Sequence, residues 1–152
     1  MKKISFLICT LFMLFTLVSC RKQIYKSYDI GEEELFINEI YKCIDDNKNN
    51  YCLLDVRDLN NEYGLGHFRG FINYDINKGS VDEFVYKISS MYSKDKVIFM
   101  IDSDGSVVEI LQQALKEEGY KKIYIYLGGY QKLLEKNDSD FVVVTGTDDC
   151  GC

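Results

Sequence analysis

Lys96–Ile101 (Lys-Val-Ile-Phe-Met-Ile) is the most apolar strand-like run beyond the first twenty residues of the chain. A strand with no polar face has to be covered on both sides, as the central strands of a parallel sheet are. After a short polar loop, Val107, Ile110, Leu111, Ala114 and Leu115 follow helical spacing, and Gly119 stops the run. Strand, loop and helix in that order form a crossover unit.

The same alternation runs through the chain. A helix is expected from near Gly31, with Glu32, Glu33 and Glu34 in its first turn and Phe36, Ile37, Ile40, Tyr41 and Ile44 on its apolar face. Cys52–Val56 reads as a buried strand, Leu59–Tyr63 as a turn or short helix, and Phe71–Tyr74 as a strand. Val81, Phe84, Val85, Ile88, Met91 and Tyr92 mark a second amphipathic helix. Lys122–Leu127 is a further strand, Gly128-Gly129 a turn, Tyr130–Lys136 a last helix and Phe141–Val144 a terminal strand. The pattern predicts an α/β domain over residues 28–145, in three layers, with a mainly parallel central sheet flanked by helices.

The N-terminus reads as a targeting segment. Lys2 and Lys3 precede an uncharged, mostly apolar stretch from Ile4 to Val18, short of the ~20 residues that a membrane span needs, as in a secretory signal. Leu17-Val18-Ser19-Cys20 resembles the lipobox of bacterial lipoproteins. That resemblance implies removal of residues 1–19, lipid on Cys20, and a domain held outside the cytoplasm in a bacterial cell envelope. The same cleavage takes the formal net charge from −6 to −8. No basic face suggests nucleic acid. Arg21, Lys22 and Lys26 are read as part of a solvated tether, residues 20–27, that keeps the domain close to the membrane.

Four segments then carry a family resemblance. Leu53-Leu54-Asp55-Val56-Arg57 and Gly66-His67-Phe68-Arg69-Gly70-Phe71-Ile72-Asn73 are followed by Gly119-Tyr120-Lys121-Lys122-Ile123-Tyr124 and Leu127-Gly128-Gly129-Tyr130. In this order they resemble the signature pieces of the rhodanese family over roughly Tyr28 to Lys136. Arg69 stands where that family usually has proline. The resemblance implies sulfur transfer by a cysteine in a C-R-x-G-x-R loop, where backbone N–H groups and a helix N-terminus stabilise thiolate or persulfide. Gap-free counting back from Gly119-Tyr120 puts Asp102 at the cysteine and Gly105 at the loop glycine.

The loop here is Asp102-Ser103-Asp104-Gly105-Ser106-Val107. A carboxylate cannot form a persulfide, and two acidic residues repel the anionic sulfur donors that such a site attracts. Asp102 is expected to occupy the anion nest of its own loop. The fold therefore suggests a catalytically degenerate binding or regulatory module with an envelope protein as partner, no cofactor and no catalytic residue at the usual position. Asp55, Arg57, Gly66, His67, Gly70, Gly128 and Gly129 are expected to be structural, with His67 bonded to backbone.

Two enzymatic alternatives stand beside that reading. Cys150 and Cys152 form a C-x-C pair in the tail, residues 146–152, and a thiol from it is a non-standard candidate for sulfur transfer. Asp102-Ser103-Asp104-Gly105-Ser106 also resembles the D-x-D-G-[ST] motif of Mg²⁺-dependent haloacid-dehalogenase-type phosphatases, although that motif normally opens its domain. A Ca²⁺ loop built from Asp102, Asp104 and Ser106 lacks the rest of its pattern. The single His argues against a His-built metal site. Cys43 and Cys52, on a helix and a strand, are expected to be buried, inert thiols.

Overall fold

The structure is a computed structural model that describes residues 22–47, 50–137 and 141–147. The expected signal segment, Cys20, Cys150 and Cys152 lie outside the described residues. In chain order the elements are β1 (Ile24–Tyr28), α1 (Glu33–Asn47), β2 (Tyr51–Asp55), a 3₁₀ turn (Tyr63–Leu65), β3 (His67–Phe68), β4 (Ile72–Asn73) and a second 3₁₀ turn (Ile76–Lys78). They continue with α2 (Val81–Met91), β5 (Val97–Ile101), α3 (Ser106–Glu117), β6 (Lys122–Tyr126), α4 (Gly129–Glu135) and β7 (Val143–Val144). Among the described residues, no helix is long and apolar enough to cross a membrane.

Five strands form one sheet in the order β1-β6-β5-β2-β4, and each neighbouring pair is parallel. The alternation of β5 sorts the core. Val97, Phe99 and Ile101 face one side, packing with Phe36, Ile37 and Ile40 of α1 and Leu133 of α4. Ile98 and Met100 face the other, against Phe84 and Ile88 of α2 and Val108, Leu111 and Leu115 of α3. Every residue of β5 is buried, as its uninterrupted apolar run requires. Ser80 starts α2 with a capping box, its hydroxyl accepting from the Glu83 N–H while the Glu83 carboxylate accepts from the Ser80 N–H.

The structure moves two expected boundaries. Ile24–Ser27, read as tether, belong to β1, which pairs with β6 from Ile24↔Lys122 to Tyr28↔Tyr126. The domain thus begins at Ile24 rather than Tyr28. An edge strand has one partner, so Lys26 and Ser27 stay exposed and the segment reads as polar linker. At the other end the strand shrinks to Val143–Val144, because the Asn137 side chain holds Phe141 in a turn by bonding both its N–H and its carbonyl. β7 pairs antiparallel with β3 as a separate two-stranded ribbon.

Candidate functional site

Because the sheet is parallel, the loops after β2, β5 and β6 gather at its carboxyl end, where open α/β sheets place their ligands. The β5–α3 loop begins with Asp102, which is 3% exposed. Its Oδ1 accepts the N–H of Gly105 (2.5 Å), and its Oδ2 accepts those of Val107 (2.8 Å) and Val108 (3.1 Å). The carboxylate therefore fills the N-terminus of α3 with charge of the sign that the helix dipole favours. Burial pushes the Asp102 carboxyl above the ordinary carboxylate range, against the lowering pull of those three N–H groups.

The loop is locked from the side as well. Gly105 has φ 91° and Gly129 φ 74°, a region that glycine adopts without strain. A Cβ on Gly105 would strike the Leu127 carbonyl, and one on Gly129 the Ser103 carbonyl. The Tyr130 N–H donates to the Asp102 carbonyl (2.7 Å), so the β6–α4 turn and the β5–α3 loop are backbone against backbone. Gly128, expected as a structural glycine, precedes α4 in that turn.

Asp104 and Ser103 point elsewhere. The Asp104 carboxylate accepts from the Ser106 hydroxyl (2.6 Å) and N–H (3.0 Å), and the hydroxyl bond first of all lowers its pKa. Asp102 and Asp104 are thus turned to separate partners, and among the described residues no group of three or more His, Cys, Asp or Glu side chains is placed to hold a metal ion. The Ser103 hydroxyl donates to Glu62 (2.5 Å), in the turn after β2.

Beside the loop is a cavity of about 400 Å³, lined by Arg57, Glu62, Leu65, Ser103, Tyr130 and Val143 among others. Arg57, 5% exposed, sets its guanidinium 3.6 Å from the Tyr130 ring centre. Asp55 takes up its charge: Nη2 lies 2.6 Å from Oδ2, and Nε lies 2.9 Å from Oδ1. Nη2 also donates to the Gly66 carbonyl (2.9 Å), tying the end of β2 to the turn before β3. Asn73 donates to the carbonyls of Asp55 and Arg57, closing the same junction. The cavity thus presents an arginine already matched by a carboxylate, with the Glu62 carboxylate in its wall.

His67 is fully buried, stacked 3.7 Å from Tyr63, with Nδ1 3.0 Å from the Tyr63 carbonyl. It is packed inside the turn, away from the cavity lining. Gly70 takes a positive φ in the turn into β4, and the Arg69 N–H bonds the Val142 carbonyl. Cys43 and Cys52 are both buried, and burial pushes the Cys52 thiol up. Glu62 carries no motif of its own, and Tyr130 only closes the Leu127-Gly128-Gly129-Tyr130 segment. Their part in the site arises where three loops meet, and the one local hint is that Tyr130 follows Gly128-Gly129.

Comparison with known proteins agrees with this architecture. The sequence pattern of the rhodanese-like domain matches residues 37–136, more than half of the chain. A search among proteins of curated function finds no match. Among solved structures, the Alr3790 protein of Anabaena is similar with a TM-score of 0.57 and 17% identity, covering 74% of this chain and 81% of that one. A rhodanese-related protein of Thermoplasma volcanium is similar with a TM-score of 0.54 and 22% identity, covering 79% and 98%. The thiosulfate sulfurtransferase of Pseudomonas aeruginosa gives a TM-score of 0.58 and 14% identity, covering 80% of this chain and 20% of that longer one. With the four sequence segments, the parallel sheet and the matched residues in agreement, this chain belongs to the rhodanese-like domain family.

Proposed function

We propose that this chain is a lipid-anchored envelope protein whose rhodanese-like domain works as a binding or regulatory module and transfers no sulfur. One observation carries the reading: the Asp102 carboxylate satisfies the N–H groups of Gly105, Val107 and Val108. A loop whose donors are taken by its own side chain offers a small anion little to bind. Glu62 and Asp104 beside it add like-charge repulsion toward thiosulfate. The partner on this reading is another protein of the envelope, and Cys20 supplies the lipid. The test is intact mass of reduced residues 21–152 after incubation with thiosulfate. An unchanged mass is expected; a gain of one sulfur atom would sink the reading.

A second reading draws support from the C-terminal segment. The Gly146 N–H donates to the Gly64 carbonyl (2.9 Å), next to Leu65 and Gly66 of the cavity lining. Cys150 is three residues beyond Thr147, a reach of at most ~10 Å. On this reading a Cys150 or Cys152 thiolate attacks the outer sulfur of thiosulfate. A new sulfur–sulfur bond forms, the bond to the sulfite sulfur breaks with its electron pair, and sulfite leaves. The same mass experiment, with the added sulfur mapped to Cys150 or Cys152, separates the two.

A further inference from the structure

We infer that the end of the domain where the parallel strands begin is a lysine-rich surface that lies against an anionic lipid bilayer, with the Asp102 loop facing away from it. This rests on the proposed anchor at Cys20. Three residues, 21–23, separate Cys20 from Ile24, whose N–H is bonded to the Lys121 carbonyl (2.7 Å). Four Cα steps span at most ~15 Å, so a lipid on Cys20 brings the starting end of the sheet to the membrane. All strands of the sheet run the same way. The loop after β5 is then a strand length further out, about 17 Å at ~3.3 Å per residue.

The two ends of the sheet differ in charge. The segments leading into β1, β5 and β6, with the first residue of β6, carry Lys22, Lys94, Lys96, Lys121 and Lys122 against two carboxylates, Asp95 and Glu118. Asp95 is paired with Lys121 (3.2 Å), and neighbouring Glu118 with Lys94 (2.7 Å). Asp45, Asp46 and Glu117 sit at the flanks, at the ends of α1 and α3. At the opposite end, the loops after β1, β2, β4 and β5 carry Asp29, Glu32, Asp58, Glu62, Asp75, Asp102 and Asp104 against Arg57 and Lys78. A chain of net charge −6 has thus gathered lysines where its anchor emerges.

The side chains around those lysines suit a headgroup layer. Lys96 lies 5.2 Å from the Tyr92 ring centre, Lys94 4.5 Å from that of Tyr120, and Lys116 5.2 Å from that of Tyr25. In each case it is the ammonium group that lies over the ring, and such paired lysines and tyrosines are the residue types enriched where protein meets lipid headgroups. Met91, 49% exposed, adds an apolar side chain at the same end.

The experiment uses residues 21–152 without lipid. Every residue of both core clusters falls between Ile24 and Phe141, so this piece contains the whole fold. Sedimentation with phosphatidylcholine vesicles is compared with vesicles containing phosphatidylglycerol. Binding is expected only with phosphatidylglycerol, lost in about 0.5 M salt where the screening length falls to a few Å. Lys96→Glu with Lys122→Glu is expected to weaken it at least about tenfold, while Lys78→Glu at the far end leaves it unchanged. Equal binding to both vesicles, no binding to either, or equal losses in the two variants would overturn the proposal. The anchor is read separately, from the mass of Cys20-containing peptide taken from cell membranes. A lipid-free Cys20 with intact vesicle binding would fail the anchor and keep the surface.

Discussion

The Ser103 hydroxyl donates to the Glu62 carboxylate (2.5 Å), joining the β5–α3 loop to the turn after β2 beside the cavity that both residues line. Both residues reach solvent, so the bond competes with water. Ser103→Ala is expected to cost less than about 1 kcal/mol, read from urea denaturation.

Asp102→Ala is a different case, because it strands the backbone N–H groups of Gly105, Val107 and Val108 at the start of α3. The expected loss is about 1–2 kcal/mol, the range for losing a strong helix cap. Asp102→Asn keeps one accepting oxygen and should recover part of it. Chemical denaturation of both variants checks the order, and an unperturbed Ala variant would show that the carboxylate does not hold the loop.

The Asp55–Arg57 pair predicts non-additivity. Arg57→Ala leaves the Asp55 carboxylate buried without its cation and removes the guanidinium from the Tyr130 ring, a loss of about 3–5 kcal/mol. Asp55→Ala should cost a comparable amount. The double variant is expected to lose much less than the sum, as a double-mutant cycle on thermal unfolding would reveal.

Two carboxyls give opposite pH signatures. Burial pushes Glu33 up, but the Tyr126 hydroxyl (2.5 Å) and the Gly31 N–H (2.9 Å) outweigh it, so the folded pKa lies below the ordinary value. Its stabilisation is complete above the unfolded-state pKa and is lost as pH falls through the folded one. Asp102, raised on balance by burial, stabilises most below its unfolded-state pKa and loses that contribution as pH rises through the folded value. Melting temperatures from about pH 3 to 7 should show Glu33→Gln approaching wild type in acid, and Asp102→Asn approaching it as pH rises.

Much of this architecture can be read directly from residue order. β5 is legible because both faces of a central strand are covered, which leaves an unbroken apolar run. β1 is not, because an edge strand with exposed Lys26 and Ser27 resembles tether. The Asp102 nest is legible because a carboxylate, a glycine two residues before Val107 and a helix start are all local. The cavity is not: Arg57 and Glu62 come from the segment after β2, Tyr130 from α4 and Val143 from β7, and only the sheet order and the β3–β7 ribbon bring them together. The lysine end is likewise scattered, since Lys22 and Lys96 precede β1 and β5 and Lys122 opens β6.

The interlock of Gly105 against Leu127 and Gly129 against Ser103 has a kinetic consequence. Displacing either loop breaks both the close backbone contact and the bond from the Tyr130 N–H to the Asp102 carbonyl, so the two share the cost of opening. The amide protons of Gly105, Val107, Val108 and Tyr130 should therefore exchange with deuterium as one cooperative unit, opening together with the α3 and α4 helix starts. A partner that reaches this end of the sheet meets a preset surface, and its on-rate is set by encounter rather than by waiting for the loop to open.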